Sequence, residues 1–363
     1  MVMRKSVFIS MLFFGSLVCL KAQVPAGYYN SANGLTGQAL FMALHNIISN
    51  DVHTEYGGLW NSFKSTDART DSTNKVWDIY SYSPNTPPKY SYTFTTDQCG
   101  TYDGEGDCYN REHLWPQSWF NESSNTSKPR TDLHHIYPTD GWVNGQRGNN
   151  PFAKVKTSGN PQIFKNGAKL GSSATPGYTG MAYEPVDEYK GDIARAMFYM
   201  SVRYHDEDQN WESSNMTDKS VLKPWAITLL LQWHQEDPVS QKEISRNDSI
   251  YVIQHNRNPF VDNPDFAFMI WDPSWSVNNH ESVSYSISPN PVKSGGTIRI
   301  ASADADKLNV EMYDLCGRKI DVQPMSSGTV IEVTIPSSMQ QGIYFMSIAT
   351  AGQKPQVVKV VVN

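Results

Sequence analysis

The sequence predicts an α+β domain followed by a small all-β sandwich. Three observations carry that reading: apolar residues recur at helical spacing in several segments before residue 240, the pattern changes to short alternating runs after Glu281, and 363 residues suit one large domain plus a smaller one. The expected organisation is residues 1–22 as a signal peptide, 23–280 as the large domain and 281–363 as the sandwich.

The export signal rests on Arg4 and Lys5 ahead of the apolar run Val7 to Leu20, with a small residue at Ala22. Cys19 raises the alternative of a lipoprotein, but Val18 before it is not small, so ordinary cleavage near Ala22 is expected. No later segment approaches the ~18 apolar residues of a membrane span.

A helix is expected within residues 29–50, where Leu35, Ala39, Leu40, Ala43, Leu44, Ile47 and Ile48 recur at three and four, with Thr36 as its cap. A second starts at Asp192 and puts Ile193, Met197, Met200 and Tyr204 on one face. A third starts at Pro224 and runs through Leu229, Leu230 and Trp233. After Glu281 the runs Thr297–Ile300, Leu308–Met312, Val330–Ile335, Ile343–Ile348 and Val357–Val362 read as strands between Gly and Pro turns. The domain boundary falls between Trp275 and Tyr285.

Export removes Cys19 and exposes Cys99, Cys108 and Cys316 to an oxidising compartment. Cys99 and Cys108 flank a Gly-rich stretch that turns sharply, so they are the expected disulfide, contributing no more than ~2–3 kcal/mol. Cys316 is left unpaired. The formal net charge of −6, with a basic signal and a balanced C-terminal region, makes the middle domain acidic. This disfavours a protein that coats nucleic acid, yet suits an enzyme with a local positive site completed by a cation.

The densest chemistry lies in Cys108–Phe120, Asp132–Pro138 and Val143–Asn150. An acid beside a histidine can divide the labour of hydrolysis, the carboxylate holding a hard cation while the imidazole takes a proton from water. On a strand, Glu112 and His113 would point to opposite sides, so a bend or loop is expected there. The dipeptide alone is weak evidence. His134 and His135 diverge on an extended segment, one expected against the core and one near the site, while Asp132 is expected to brace its loop. Arg195 is open between a buried carboxylate partner and a substrate contact. Core packing is expected for most of Trp115, Trp119, Trp142 and Trp233, although exposed ones could stack bases.

Five ordered stretches, Asn110-Arg-Glu-His113, Asp132-Leu-His-His-Ile-Tyr-Pro138, Val143-Asn-Gly-Gln-Arg-Gly-Asn149, Gly191–Met200, and Asp237–Ser240 with Ile253–Phe260, make residues 28–275 resemble the bacterial endonuclease I family of exported, non-specific nucleases. The resemblance implies a ββα-metal (His-Me) finger, with His113 as general base and Glu112 and Asn144 holding magnesium, or calcium or manganese in its place. It implies hydrolysis of DNA and RNA to 5′-phosphate products. The family's phosphate-holding arginine has no single match, and Arg130 and Arg147 are the candidates, each with a planar fork for phosphate oxygens.

Ser288-Pro-Asn-Pro291, Met312–Arg318, Gly342–Phe345 and Val357–Asn363 resemble the C-terminal sorting domain of type IX secretion, although Cys316 stands where that pattern has a polar residue. This implies passage through the type IX machinery and release or surface attachment; a monomer is expected. The competing reading is a catalytically silent secreted protein that binds nucleic acid or glycans, with the sandwich as a carbohydrate module. Preference for DNA or RNA, and for single or double strands, is not legible in the sequence.

Overall fold

Helix α1, Gly37–Ile48, buries Leu40, Phe41, Leu44 and Ile48 along one stripe, as its spacing requires. Thr36 is the extended residue before it, although its hydroxyl makes no capping bond. The computed structural model describes residues 24–83, 86–272, 285–315, 317–350 and 356–363. The expected signal peptide and Cys316 lie outside the described residues. Two compact units part between residues 277 and 278.

In the larger unit, helix α2, Leu59–Thr66, packs Leu59 and Phe63 into a cluster with Tyr109, Leu133 and Ile250. Strand β1, Tyr109–His113, pairs antiparallel with β2, Ile136–Asp140, with Glu112 opposite Tyr137 and His113 opposite Ile136. Helix α3, Gly141–Arg147, follows β2 without a linker. The handover is made by Asp140, whose side chain accepts the Val143 amide at 2.8 Å and so satisfies a helix N–H that has no partner within the helix. Gly141 and Gly145 of α3 lie under Tyr102, where a β-carbon would come within 2.7 Å of its ring at Gly141 and of its hydroxyl at Gly145. The order strand, strand, helix is that of the ββα-metal finger. Beyond it, β3 (Gln162–Ile163), β4 (Lys169–Ser172) and β5 (Met181–Glu184) form a small antiparallel sheet.

Helix α4, Lys190–Arg203, begins two residues before the expected Asp192, because a 3-10 turn at Asp187–Tyr189 feeds directly into it. All of its residues are buried rather than one face, so its charges need internal partners. Arg195 bonds Glu243 at 2.5 and 2.8 Å, and Arg203 bonds Asp51 at 2.7 and 2.9 Å. Arg195 therefore resolves to the buried ion pair. Helix α5, Pro224–Glu236, starts at the expected proline. Helix α6, Gln241–Gln254, is fixed at its start by a capping box between Ser240 and Glu243, the same glutamate that pairs with Arg195.

The smaller unit has two four-stranded antiparallel sheets. One runs in the order β6 (Tyr285–Ser288), β7 (Thr297–Ser302), β11 (Val330–Thr334), β10 (Pro324–Ser327). The other runs β9 (Lys319–Ile320), β8 (Leu308–Tyr313), β12 (Gly342–Thr350), β13 (Gln356–Val362). Alternate residues Ile298, Ile300, Ile331, Val333, Met312, Met346 and Val360 point inward and form its own core. The expected strands are present, with β6, β9 and β10 added.

Candidate active site

Strand β1 ends on the two residues that the motif singles out, and its period of two sorts four neighbours onto two faces. Asn110 and Glu112 share one face. Arg111 and His113 share the other. The strand stays regular through His113, so the expected bend at Glu112-His113 is absent, yet residues from both of its faces line one cavity. That cavity, about 370 Å³, is lined by Glu112, His113 and Asn144 together with Tyr56, Asn110 and Arg111.

Glu112 is buried, 3% exposed, and its Oε1 accepts from the Tyr80 hydroxyl at 2.7 Å and from Arg147 Nη1 at 2.8 Å. Burial raises its pKa, with the Arg147 charge and the Tyr80 bond opposing. Both of these bonds fall on Oε1, so they leave Oε2 with capacity for another partner. Asn144 donates from Nδ2 to Asn110 Oδ1 at 2.7 Å, which fixes the amide and leaves its oxygen as the acceptor end. One carboxylate oxygen and one amide oxygen at the wall of a polar cavity fit a hard divalent cation that keeps most of its waters.

A second group, Asp51, His53 and Asp132, brings possible ligand atoms within 4.8 Å of one another. Its carboxylates are already loaded with donors. Asp51 accepts from Arg203, from His53 at 2.8 Å and from Lys128 at 3.1 Å; Asp132 accepts from Tyr199, Tyr204, Gln254 and the His134 amide. The arrangement is that of a brace, the role expected of Asp132, and suits a cation less well than Glu112 with Asn144.

His113 Nε2 lies 3.1 Å from the Arg130 carbonyl oxygen. A carbonyl only accepts, so the neutral imidazole carries its hydrogen on Nε2 and keeps a lone pair on Nδ1. Burial holds the His113 pKa well below the usual value, and His135, Arg130 and Arg111 push it the same way, while the Arg130 carbonyl bond opposes. The ring is therefore neutral at neutral pH, and its Nδ1 has no hydrogen-bond partner among the described residues. The His135 ring is 5.5 Å away, and its Nε2 bonds the Pro129 carbonyl; His134 packs on Tyr199 instead. One histidine of the pair is thus near the site and the other is in the core.

The two candidate arginines part company. Arg147 is fully buried, and its donors go to Glu112 and to the carbonyls of His113, Leu114 and Asn150. A guanidinium with no exposed face cannot meet a phosphate, so Arg147 is corrected from a substrate grip to a support beneath Glu112. Arg130 is half-buried and lies over the Tyr56 ring, 3.9 Å from its centroid, beside the cavity. Cys99 and Cys108 are joined, with Cα atoms 5.8 Å apart, and Cys99 lines the same cavity. Trp115, Trp119 and Trp233 are buried in the core.

Sequence reasoning did not single out Tyr56, Tyr80, Asn110 or Arg111. The last two were legible in principle, since strand alternation from Glu112 and His113 reaches them directly. Tyr56 and Tyr80 come from irregular segments far from the motif.

The family model described as Endonuclease I matches residues 36–265, and that described as Secretion system C-terminal sorting domain matches residues 286–363. The chain is 38% identical over 251 residues to a Bacillus amyloliquefaciens protein named Extracellular ribonuclease, covering 67% of this chain and 78% of that one. It is 37% identical over 272 residues to the protein of the same name from Bacillus subtilis (strain 168), covering 71% and 84%. A protein named Endonuclease-1 from Buchnera aphidicola subsp. Baizongia pistaciae is 32% identical over 137 residues, covering 38% and 48%. With Asn110–His113 and residues of Val143–Asn149 lining one cavity, and a sorting domain following in the sequence, the chain belongs to the endonuclease I family of nucleases and is exported for secretion or attachment to the cell surface.

Proposed function

We propose that the protein is a magnesium-dependent endonuclease that hydrolyses phosphodiester bonds of both DNA and RNA to 5′-phosphate products. The observation that carries this reading is His113, held neutral with Nδ1 free, in one cavity with Glu112 and Asn144. His113 Nδ1 takes the proton of the attacking water, and the Arg130 carbonyl keeps the ring aimed through Nε2. Glu112 and Asn144 would hold the cation, which when bound would supply positive charge to offset the charge that builds up in phosphodiester hydrolysis. Tyr80 and Arg147 keep Glu112 in place, and Arg130 offers its fork to a phosphate oxygen. No 2′-hydroxyl takes part and no base edge is read, so either nucleic acid serves.

The test incubates the secreted chain with plasmid DNA and with RNA, with magnesium, calcium or manganese and with EDTA. Cutting of both substrates with magnesium and none in EDTA is expected. His113→Ala should lose at least about a hundredfold in rate, the scale of a general base, while keeping metal affinity by calorimetry. Near-normal cutting by that variant rejects the base assignment, and binding without cleavage under any ion favours the silent surface protein.

A further inference from the structure

The larger unit carries eight arginines, and they fall into two groups. Arg69, Arg147, Arg195, Arg203, Arg246 and Arg257 each contact a carboxylate. Arg111 and Arg130 contact none among the described residues, and they are neighbours. Both guanidiniums lie on the Tyr56 ring, 3.7 Å and 3.9 Å from its centroid, and Arg111 also lies 4.4 Å from the Trp60 centroid. Their hydrogen bonds go to neutral acceptors: Arg111 to the Tyr56 carbonyl, and Arg130 to Gln117, Asn125 and the Ser123 carbonyl.

Two cations sharing one ring without a counter-charge are mutually repulsive, and aromatic faces offset only part of that cost. Arg111 lines the cavity of Glu112, His113 and Asn144 and shares the His113 face of β1. Five N–H donors on Arg111, only one of them used on Tyr56, leave a fork for phosphate oxygens.

We infer that Arg111, stacked on Tyr56 and Trp60 beside Arg130, is a second substrate-contact arginine that grips a phosphate of the polynucleotide next to the one being cut. The inference rests on the nuclease reading above. It divides the labour of β1: the Asn110 and Glu112 face serves the cation, while the Arg111 and His113 face serves the substrate chain.

The experiment compares Arg111→Gln and Arg111→Lys with the parent chain on a fluorescein-labelled single-stranded oligonucleotide and on bis(p-nitrophenyl) phosphate, which has one phosphate only. For Arg111→Gln, KM for the oligonucleotide should rise about tenfold, the scale of a lost charge-assisted bond. The loss on the oligonucleotide should exceed that on the small diester by a similar factor. Binding of the oligonucleotide in EDTA should show a log–log salt slope shallower by about 0.7, the value for one phosphate contact on a single strand. Arg111→Lys should restore the slope but leave KM raised, because it keeps the charge and lacks the fork.

Equal losses on both substrates, or an unchanged KM and slope, overturn the inference. If the Gln variant does not fold, a parental KM in Arg111→Lys overturns it instead. If the parent chain cuts nothing, the nuclease reading fails by itself, and the salt slope in EDTA still decides whether Arg111 holds a phosphate.

Discussion

Arg147 Nη1 lies 2.8 Å from Glu112 Oε1, with both side chains sealed from solvent at 0% and 3% exposure. The pair joins the end of α3 to the end of β1, so one contact fixes the carboxylate and the helix that presents Asn144. Arg147→Met should leave the Glu112 charge buried and uncompensated, costing about 3–5 kcal/mol by urea unfolding. It should also weaken metal affinity by calorimetry. A stability loss below 1 kcal/mol would show that the contact is not holding the finger together.

Asn110 bonds the amide nitrogen of Asn144, which leaves the oxygen as the end available to a cation. Asn110→Leu should therefore raise the magnesium concentration for half-maximal cutting about tenfold or more, as loss of an orienting partner does elsewhere, without abolishing activity at saturating metal. An unchanged metal requirement would sever Asn144 from the cation.

Asp78 is buried beside Asp140, and burial, followed by the Asp140 charge, pushes its pKa up to about 7. The unfolded chain releases this proton near pH 4 and the folded chain keeps it to about pH 7, so the contribution of Asp78 to stability falls as pH rises between those values. Asp78→Asn cannot ionise. Relative to the parent, the variant should gain up to about 1.4 kcal/mol per pH unit across that window, on top of a pH-independent cost for the altered bonds to Ser81 and Tyr80. Parallel stability curves for the two proteins from pH 4 to 7 would contradict the raised pKa.

The Cys99–Cys108 bridge closes a short loop, with a sequence separation of 9, at the edge of the cavity. Reduction should lower stability by about 2 kcal/mol, seen as a fall in Tm, and should raise KM because the cavity wall loosens. Unchanged Tm and KM under reducing conditions would make the bridge incidental.

What the sequence made legible follows from range. The motif of β1 and the periodicity of α1 are local, and local patterns survive in one dimension. The roles of Arg130 and Arg147 were indistinguishable because each is one basic residue in a turn-rich segment, and only tertiary packing decides which is enclosed. Tyr80 reaches Glu112 across 32 positions from a segment without periodicity. Asp192 looked like a helix cap because it has the right side chain, but the preceding 3-10 turn moved the start.

The apolar interiors also have a bearing on maturation. Among the described residues, two clusters draw only on residues before 272 and the third only on residues after 284. A protease acting between residues 272 and 285 would part the chain between the Endonuclease I match and the sorting-domain match. The residues that line the working cavity, all between 56 and 149, would stay together on one fragment after such a cut.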